Sequence, residues 1–378
     1  MRGGAFIDEG SVGCTFFSPI KCADGTDLPG KLGKVFDYDK DALHEQYNNR
    51  IVESLDPDRL FTVKMYKLCN VSKYRETDKS HLCSFIGNSA TQRKQLIYEY
   101  GGYDFDTLPH TVPLARIVTG FEGIMFGLVA LQVHAFAHLD ISIKNVLFDN
   151  ALGKAYLIDF GWLTPCKKVY KPYYRDYYGH RYPWYPPEFK IAAILVENDV
   201  FDVTFDSFRD YFATNFGRTL SFKAHCDRHP GALQGLRDLY DHVRGTLRGD
   251  KAKAFRFLAT AADKVDVYSA GMVLQHILLK YDGKAHPALR DLVGRMTSFD
   301  PRARPDAVAA YALYVKVMRR VGVKPAFSKR ATVVRAAELL RVRLLPVTRL
   351  RAMCASMHLP KTGSKDDLLA RIINAKPT

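Results

Sequence analysis

Short apolar runs broken by turn residues fill the first hundred positions, and a helical period interrupts them once. Ile7–Cys22 reads as two strand-like runs about a turn holding Gly10 and Gly13. KLGKVF (31–36) is a strand with Lys34 embedded in it. FTVKMYKLC (61–69) and RKQLIYEYGG (93–102) are two more strands, the last ended by Gly101 and Gly102. Between KLGKVF and FTVKMYKLC, from about Asp39, the apolar residues Leu43, Tyr47, Ile51 and Leu55 recur every fourth position until Asp56-Pro57 stops the helix. Leu114–Ala137 follows as one long apolar helix. Helical spacing returns in Phe205, Phe208, Phe212 and Phe216, and in Leu233, Leu236, Tyr240, Val243 and Leu247. Near the end, two amphipathic helices flank Leu359–Gly363, the second opened by Ser364 as its N-cap with Asp366 and Asp367 in its first turn.

Charge changes this picture more than composition does. Residues 316–378 hold fifteen Lys/Arg against three Asp/Glu, a net +12 of the chain's +15, which leaves +3 for everything before them. A nearly neutral body with a strongly basic tail implies a polyanionic partner for the tail. The seven cysteines are odd in number, scattered and free of any C-x-x-C pair, which predicts a reduced, intracellular protein. The opening Met1-Arg2-Gly3-Gly4 has no charged-then-apolar leader, and the most apolar window, Gly123–Val133, is too short to span a bilayer, so no membrane partner is expected. His225, Cys226 and His229 lack a second ligand pair at zinc spacing.

The chemistry concentrates in His138–Gly161, HLDISIKNVLFDNALGKAYLIDFG. Asp140 stands five residues before Asn145, and Asp159-Phe160-Gly161 follows an apolar run. This is H-x-D-x-x-x-x-N followed by D-F-G, and on these residues the chain resembles eukaryotic-type protein kinases. The resemblance covers about residues 5–320. It implies an α+β, bilobal protein-kinase fold over 1–320, with a small β-rich lobe (about 1–102) and a mainly helical lobe (about 103–320) carrying an insert at about 190–262. It also implies ATP and Mg²⁺ as cofactors and a protein hydroxyl, Ser/Thr, as acceptor. Asp140 would orient or deprotonate that hydroxyl, while Asn145 and Asp159 would hold the metal. Lys34 would meet the ATP phosphates, held by Glu45, with Lys64 as its competitor. Gly10 and Gly13 match the second and third glycines of the nucleotide hairpin, with Asp8 in place of the first. Tyr98 would be the gatekeeper, and the backbone of Glu99 and Tyr100 would meet adenine. His138, Phe160, Gly161, Asp266 of DVYSAG, and the pair Glu188 of YPPE with Arg304 of SFDPRARP would be architectural.

Two departures bear on mechanism. Leu139 replaces the arginine of H-R-D, so no cation stands there to read a phosphorylated activation segment, and activity is expected to be independent of such phosphorylation. Ser142 replaces the usual lysine, and Lys144 could supply that charge or point to solvent, an arrangement similar to the arginine of tyrosine kinases. The activation segment, Trp162–Glu188, carries seven tyrosines (170, 173, 174, 177, 178, 182, 185). Kinases this divergent look like those of large cytoplasmic DNA viruses, which implies a site of action at DNA in the nucleus or a cytoplasmic viral factory, or packaging in a virion. Two rivals stay open: a pseudokinase scaffold, favoured by the missing glycine and by Ser142, and a small-molecule kinase.

After a basic linker (about 321–340), residues 341–378 resemble a SAP module, the helix-extended-helix DNA-binding motif. The match lies at Leu350, Leu359, Thr362-Gly363, Lys365, Leu368 and Arg371, with His358 where the family has Gly. The resemblance implies DNA as partner through Arg349, Arg351, Lys361, Lys365 and Arg371, whose phosphate contacts would be largely sequence-independent.

Overall fold

A computed structural model describes residues 5–71, 82–84, 86, 93–169, 183–191, 204–214, 216, 221–247, 250–281, 286–326, 342 and 345–375. The fold is mixed α+β. Five antiparallel strands, β1 (Ala5–Glu9), β2 (Gly13–Phe17), β3 (Leu32–Phe36), β4 (Met65–Asn70) and β5 (Lys94–Tyr98), form an N-terminal sheet in the order β1-β2-β3-β5-β4. Gly13 is needed at the start of β2 because a Cβ there would stand 2.1 Å from the Val35 carbonyl oxygen. Gly10 meets no such obstacle.

One helix, α1 (Asp39–Leu55), packs against this sheet with the face opposite to the one its apolar stripe predicts. Leu43 and Tyr47 are exposed, and the buried residues are Ala42, Glu45, Asn48, Asn49 and Val52. The reversal has a polar cause: Glu45, Asn48 and Asn49 each find hydrogen-bond partners inside, so their burial is compensated. Asp56, just past the helix, is 1 % exposed and accepts from the amides of Leu60, Phe61 and Thr62, which shapes the turn into β4.

The rest of the body is mainly helical. The expected single helix from Leu114 is two, α2 (Leu114–Gly120) and α3 (Glu122–Val133), divided at Phe121; Phe136–Ala137 belongs instead to a short strand paired with Thr164–Pro165. By length and composition Leu114–Val133 would suffice to cross a membrane, so the apolar stretch is longer than the window Gly123–Val133 suggests. It is core: every residue of α3 is buried. Its two polar ends are satisfied, Glu122 accepting from Tyr311 Oη (2.8 Å) and the Ala326 amide (2.7 Å), and Gln132 joining Asp263 to the Ala307 amide.

Strands Tyr103–Asp104, Val146–Asp149 and Lys154–Leu157 form a second small sheet carrying the motif-bearing loops. Helices α4 (Phe205–Thr214), α5 (Phe222–Arg228), α6 (Ala232–Leu247) and α7 (Lys251–Thr260) occupy the region read as an insert. Phe212, Phe216, Phe222 and His225 gather on Phe299 there, with ring centroids 4.9–5.9 Å from it. Helices α8 (Val265–Tyr281), α9 (Pro287–Met296) and α10 (Ala307–Arg320) complete the core around α3, and α11 (Val347–Ser356) and α12 (Lys365–Ala375) close the chain. His225 is fully buried with Nδ1 3.1 Å from Gln275 Oε1, which is the environment of a packed histidine.

The expectation of uniformly reduced cysteines is overturned. Cys14 is bonded to Cys83, and Cys22 to Cys69, with Cα–Cα distances of 6.0 and 5.8 Å. The partners are 69 and 47 residues apart, so tertiary folding and not local spacing brings them together, Cys22 reaching Cys69 beside its bridge to Val71. Cys166, Cys226 and Cys354 form no disulfide. Thiol titration of the non-reduced, denatured chain should therefore find three free thiols of seven. Reductant should lower Tm, each cross-link being worth about 2–4 kcal/mol by the loop it closes. Seven titratable thiols with an unchanged Tm would refute both bonds.

Candidate functional site

Lys34 points from the middle of β3 into a gap bounded by α1 and by the turn after Leu157. Its Nζ lies 2.6 Å from Glu45 Oε2 and 2.9 Å from Asp159 Oδ2. Lys64, the competing strand lysine, instead lies over the Tyr66 ring, 4.8 Å from its centroid. Burial pulls the Lys34 ammonium toward neutrality, but Asp159 and Glu45 outweigh it and hold its pKa above the ordinary value. Burial likewise lifts Glu45, while Lys34 overcomes burial at Asp159 and holds that carboxyl below the usual range.

Behind the triad stands a polar layer. Tyr98 Oη donates to Glu45 Oε1 (2.7 Å) and accepts from Asn49 Nδ2 (3.1 Å). Asn48 Nδ2 donates to the Phe160 carbonyl (2.8 Å). Asn48, Asn49 and Tyr98's hydroxyl were not legible as site residues from apolar periodicity. The available signal was polar: positions 45, 48, 49 and 52 share one helical face.

Asp159 adopts the left-handed conformation (φ 63°, ψ 70°) and accepts from the Gly161 amide. Asp is among the residues that tolerate this region. Phe160 is buried and packs on the His138 ring at 4.8 Å. His138 is fully buried, with Nε2 3.1 Å from the Ile158 carbonyl oxygen.

The loop after it is fixed by Asp266, at the start of α8, which accepts from the amides of His138 (2.6 Å) and Leu139 (3.0 Å). Burial pushes the Asp266 carboxyl up to about 6, against the pull of those two amides. Leu139 is 1 % exposed with φ 63°, an uncommon conformation for a bulky residue, and its carbonyl accepts from Tyr185 Oη at 2.6 Å.

Asn145 Nδ2 donates to both the carbonyl and Oδ2 of Asp140 at 2.8 Å. This leaves the amide oxygen of Asn145 as the acceptor on its other side. Lys144 resolves its two alternatives in a third way: Nζ lies 2.9 Å from Asp8 Oδ2, with both side chains more than half exposed. The pair joins the hairpin position that lacks glycine to the motif loop, but such an exposed pair is weak.

The Glu99 amide donates to the Lys64 carbonyl, and its carboxylate bonds Lys31 (2.6 Å) and Tyr66. Tyr100 packs edge-on against Phe17 at 5.5 Å. Glu188 and Arg304, both without solvent exposure, form a two-pronged pair at 2.6 and 3.0 Å, and Arg304 also donates to the Ser298 carbonyl. Tyr170, Tyr173, Tyr174, Tyr177, Tyr178 and Tyr182 lie outside the described residues.

In the tail, Leu350, Cys354, Leu368 and Ile372 of α11 and α12 bury against one another and Val342. Ser364 Oγ accepts from the Asp367 amide, while Asp367 Oδ2 accepts from the Ser364 amide and hydroxyl, a reciprocal cap. His358 takes φ 55° and Gly363 φ 113°. Arg349, Arg351, Lys361 and Lys365 are exposed. Arg371 differs: Nη1 donates to the carbonyls of Pro360 and Thr362, so this cation orders the turn that presents Lys361.

The family model for the SAP domain matches residues 341–375, and SAP domains in general bind DNA. No curated protein matches the chain.

Two outcomes follow from this geometry. Alanine at Lys361 or Lys365 should flatten the log–log salt dependence of duplex-DNA affinity by about one unit each, while Arg371→Ala should also lower the Tm of the tail's unfolding. An unchanged salt slope would remove those lysines from the interface. The second outcome concerns acid. Burial holds His138 down to about 4 and His225 to about 3, both below the ordinary histidine value. The unfolded chain takes up those protons first, so stability should fall from about pH 6.5 downward, by up to about 1.4 kcal/mol per pH unit for each histidine. Denaturant titrations between pH 7.5 and 5 check this, and His225→Phe should reduce the slope; an equal slope in that variant would contradict it.

Proposed function

We propose that the protein is an ATP-dependent protein kinase, directed at Ser/Thr hydroxyls of a protein, that is localised to DNA through its SAP domain. The observation that carries the reading is the convergence of Lys34, Glu45 and Asp159, drawn from a strand, a helix and a turn, with the residue before Asp159 bonded through its amide to the carbonyl of Asn145, which in turn holds Asp140. Each is a residue of the type and order that phosphoryl transfer uses. A scaffold has no chemical need for that trio of Asp140, Asn145 and Asp159.

The donor set suits a hard divalent cation. Asp159 offers carboxylate oxygens, and Asn145, with its amide nitrogen committed to Asp140, offers its oxygen. Mg²⁺ held by these two residues would neutralise phosphate charge. Lys34 would bind the phosphates of ATP, kept in place by Glu45. Asp140, steadied by Asn145, would orient the acceptor hydroxyl and take its proton. The Glu99 amide being engaged by Lys64, the adenine edge would meet the remaining backbone groups of Glu99 and Tyr100. Catalysis of this kind is mainly positioning and charge neutralisation.

The scaffold alternative keeps one specific observation: Lys144, a candidate for the γ-phosphate, is engaged by Asp8. The test separates the two readings. Radiolabelled transfer to a protein substrate, followed by phosphoamino-acid analysis, should show phosphoserine or phosphothreonine. Asp159→Asn should abolish it while leaving DNA affinity within about twofold, since the two sites share no residue. A wild-type protein that neither transfers phosphate nor gains Tm with Mg-ATP is the scaffold.

A further inference from the structure

We propose that Asn48 and Tyr98 are positioning residues that hold the transfer site permanently assembled, so that activity needs no phosphate on the activation segment; this rests on the kinase reading above. Three parts of the fold must meet for the site to exist: strand β3 with Lys34, helix α1 with Glu45, and the turn with Asp159. The ion triad joins them, but charge alone does not fix a helix. The polar layer does. Tyr98 reaches from β5 to Glu45 Oε1, and Asn49 bonds the same hydroxyl, which ties α1 to the sheet. Asn48 reaches from α1 to the Phe160 carbonyl at 2.8 Å, with the Gly161 carbonyl at 3.5 Å, which ties α1 to the backbone of the turn itself.

The result is two closed circuits sharing Lys34 and α1. One runs through Glu45 and Tyr98, the other through Asp159, Phe160 and Asn48. Glu45, Asn48 and Asn49 are 2 %, 3 % and 6 % exposed. An outward swing of α1 would therefore break both circuits together and strand buried donors and acceptors, which the interior penalises far more than it rewards any single bond. The site thus has one stable arrangement where a switchable site needs two of similar energy.

The opposite side of the site agrees. The position beside Asp140 that would need a cation to read a phosphate is Leu139, buried, with its amide on Asp266 and its carbonyl on Tyr185. That loop is fixed by internal partners, and Leu139 itself offers no charge to a phosphate. Assembly is supplied from α1, and no phosphate signal is required.

The test uses the full-length chain, wild type before and after phosphatase treatment, with Asn48→Leu and Asn48→Gln. Phosphatase-treated wild type should keep its rate. Asn48→Leu should lose about tenfold to a hundredfold in kcat, the scale of a misplaced reacting group, with little change in KM for ATP. Its Mg²⁺ concentration for half-maximal rate should rise about tenfold, because Asn48 supports the turn bearing Asp159. Asn48→Gln, which keeps the donor, should recover part of both. A merely structural loss would reduce the active fraction and leave the Mg²⁺ requirement unmoved, and that result overturns the proposal. So does a rate that falls on phosphatase treatment. Should Asn48→Leu fail to fold, Tyr98→Phe, which removes one oxygen, carries the same expectations at smaller size. Absence of transfer in untreated wild type overturns the kinase reading itself, whereas an active wild type with a normal Asn48→Leu variant overturns only the lock.

Discussion

A single ammonium group held between two carboxylates makes the sheet, the first helix and the Asp159 turn depend on one another. Lys34 is mostly buried, and a buried cation is tolerated only where it is paired and hydrogen-bonded. Its partners come from sequence positions 45 and 159, so no local segment satisfies it, and the requirement acts across the molecule. Once Glu45 must face inward, the face of α1 is decided, and Leu43 and Tyr47 are turned to solvent. The electrostatic demand outweighs the apolar stripe because two exposed side chains cost only part of their transfer energy, about 1.5–3 kcal/mol each at most. An uncompensated buried charge costs about 3–5 kcal/mol.

The loop carrying Asp140 and Asn145 is held by a different device. Asp266 and Tyr185 capture both backbone sides of Leu139 and keep it in a left-handed conformation that a leucine rarely adopts. Such strain persists only where neighbours over-determine it, and here they do. Glu188 and Arg304 then close the far side as a pair without solvent exposure whose remaining donors reach the Ser298 carbonyl. Removing either partner would leave a bare charge in the core, so this pair fixes the route of the chain into Trp184–Tyr185 and hence the seat of the Tyr185 hydroxyl. The two anchors act in series on one loop.

What was legible in the sequence was legible through order and local chemistry. Lys34 before a helical Glu45, Asp140 five residues before Asn145, and Glu188 with Arg304 are brought together as their motif positions imply, and the Ser364 cap follows from residue type alone. The failures share one physical origin, in that partners distant in sequence outvote local pattern. The α1 stripe yields to Lys34 and Phe160, the cysteine pairs join residues 69 and 47 positions apart, and Lys144 meets Asp8 from the N-terminal strand. Arg371 looked like one more cation of a basic tail, yet its guanidinium satisfies two loop carbonyls that no spacing rule exposes.

The distribution of charge gives the two halves of the molecule separable energetics. Nearly all of the net +15 lies after residue 315, and at physiological ionic strength charges are screened beyond about 8 Å. The chain leaves the body at a fixed point, since Glu122, buried in α3, accepts the Ala326 amide as well as Tyr311 Oη. Phosphates held by Lys361 and Lys365 would, on the proposed reading, leave the Lys34 triad in place, since its charges are already satisfied by one another. On the proposed reading, DNA would change where transfer happens and how often a neighbouring protein is met, leaving the intrinsic rate to the buried network. A tail that acted on the rate itself would have to disturb α1 or the Asp159 turn, and the two closed circuits through Lys34 oppose that motion.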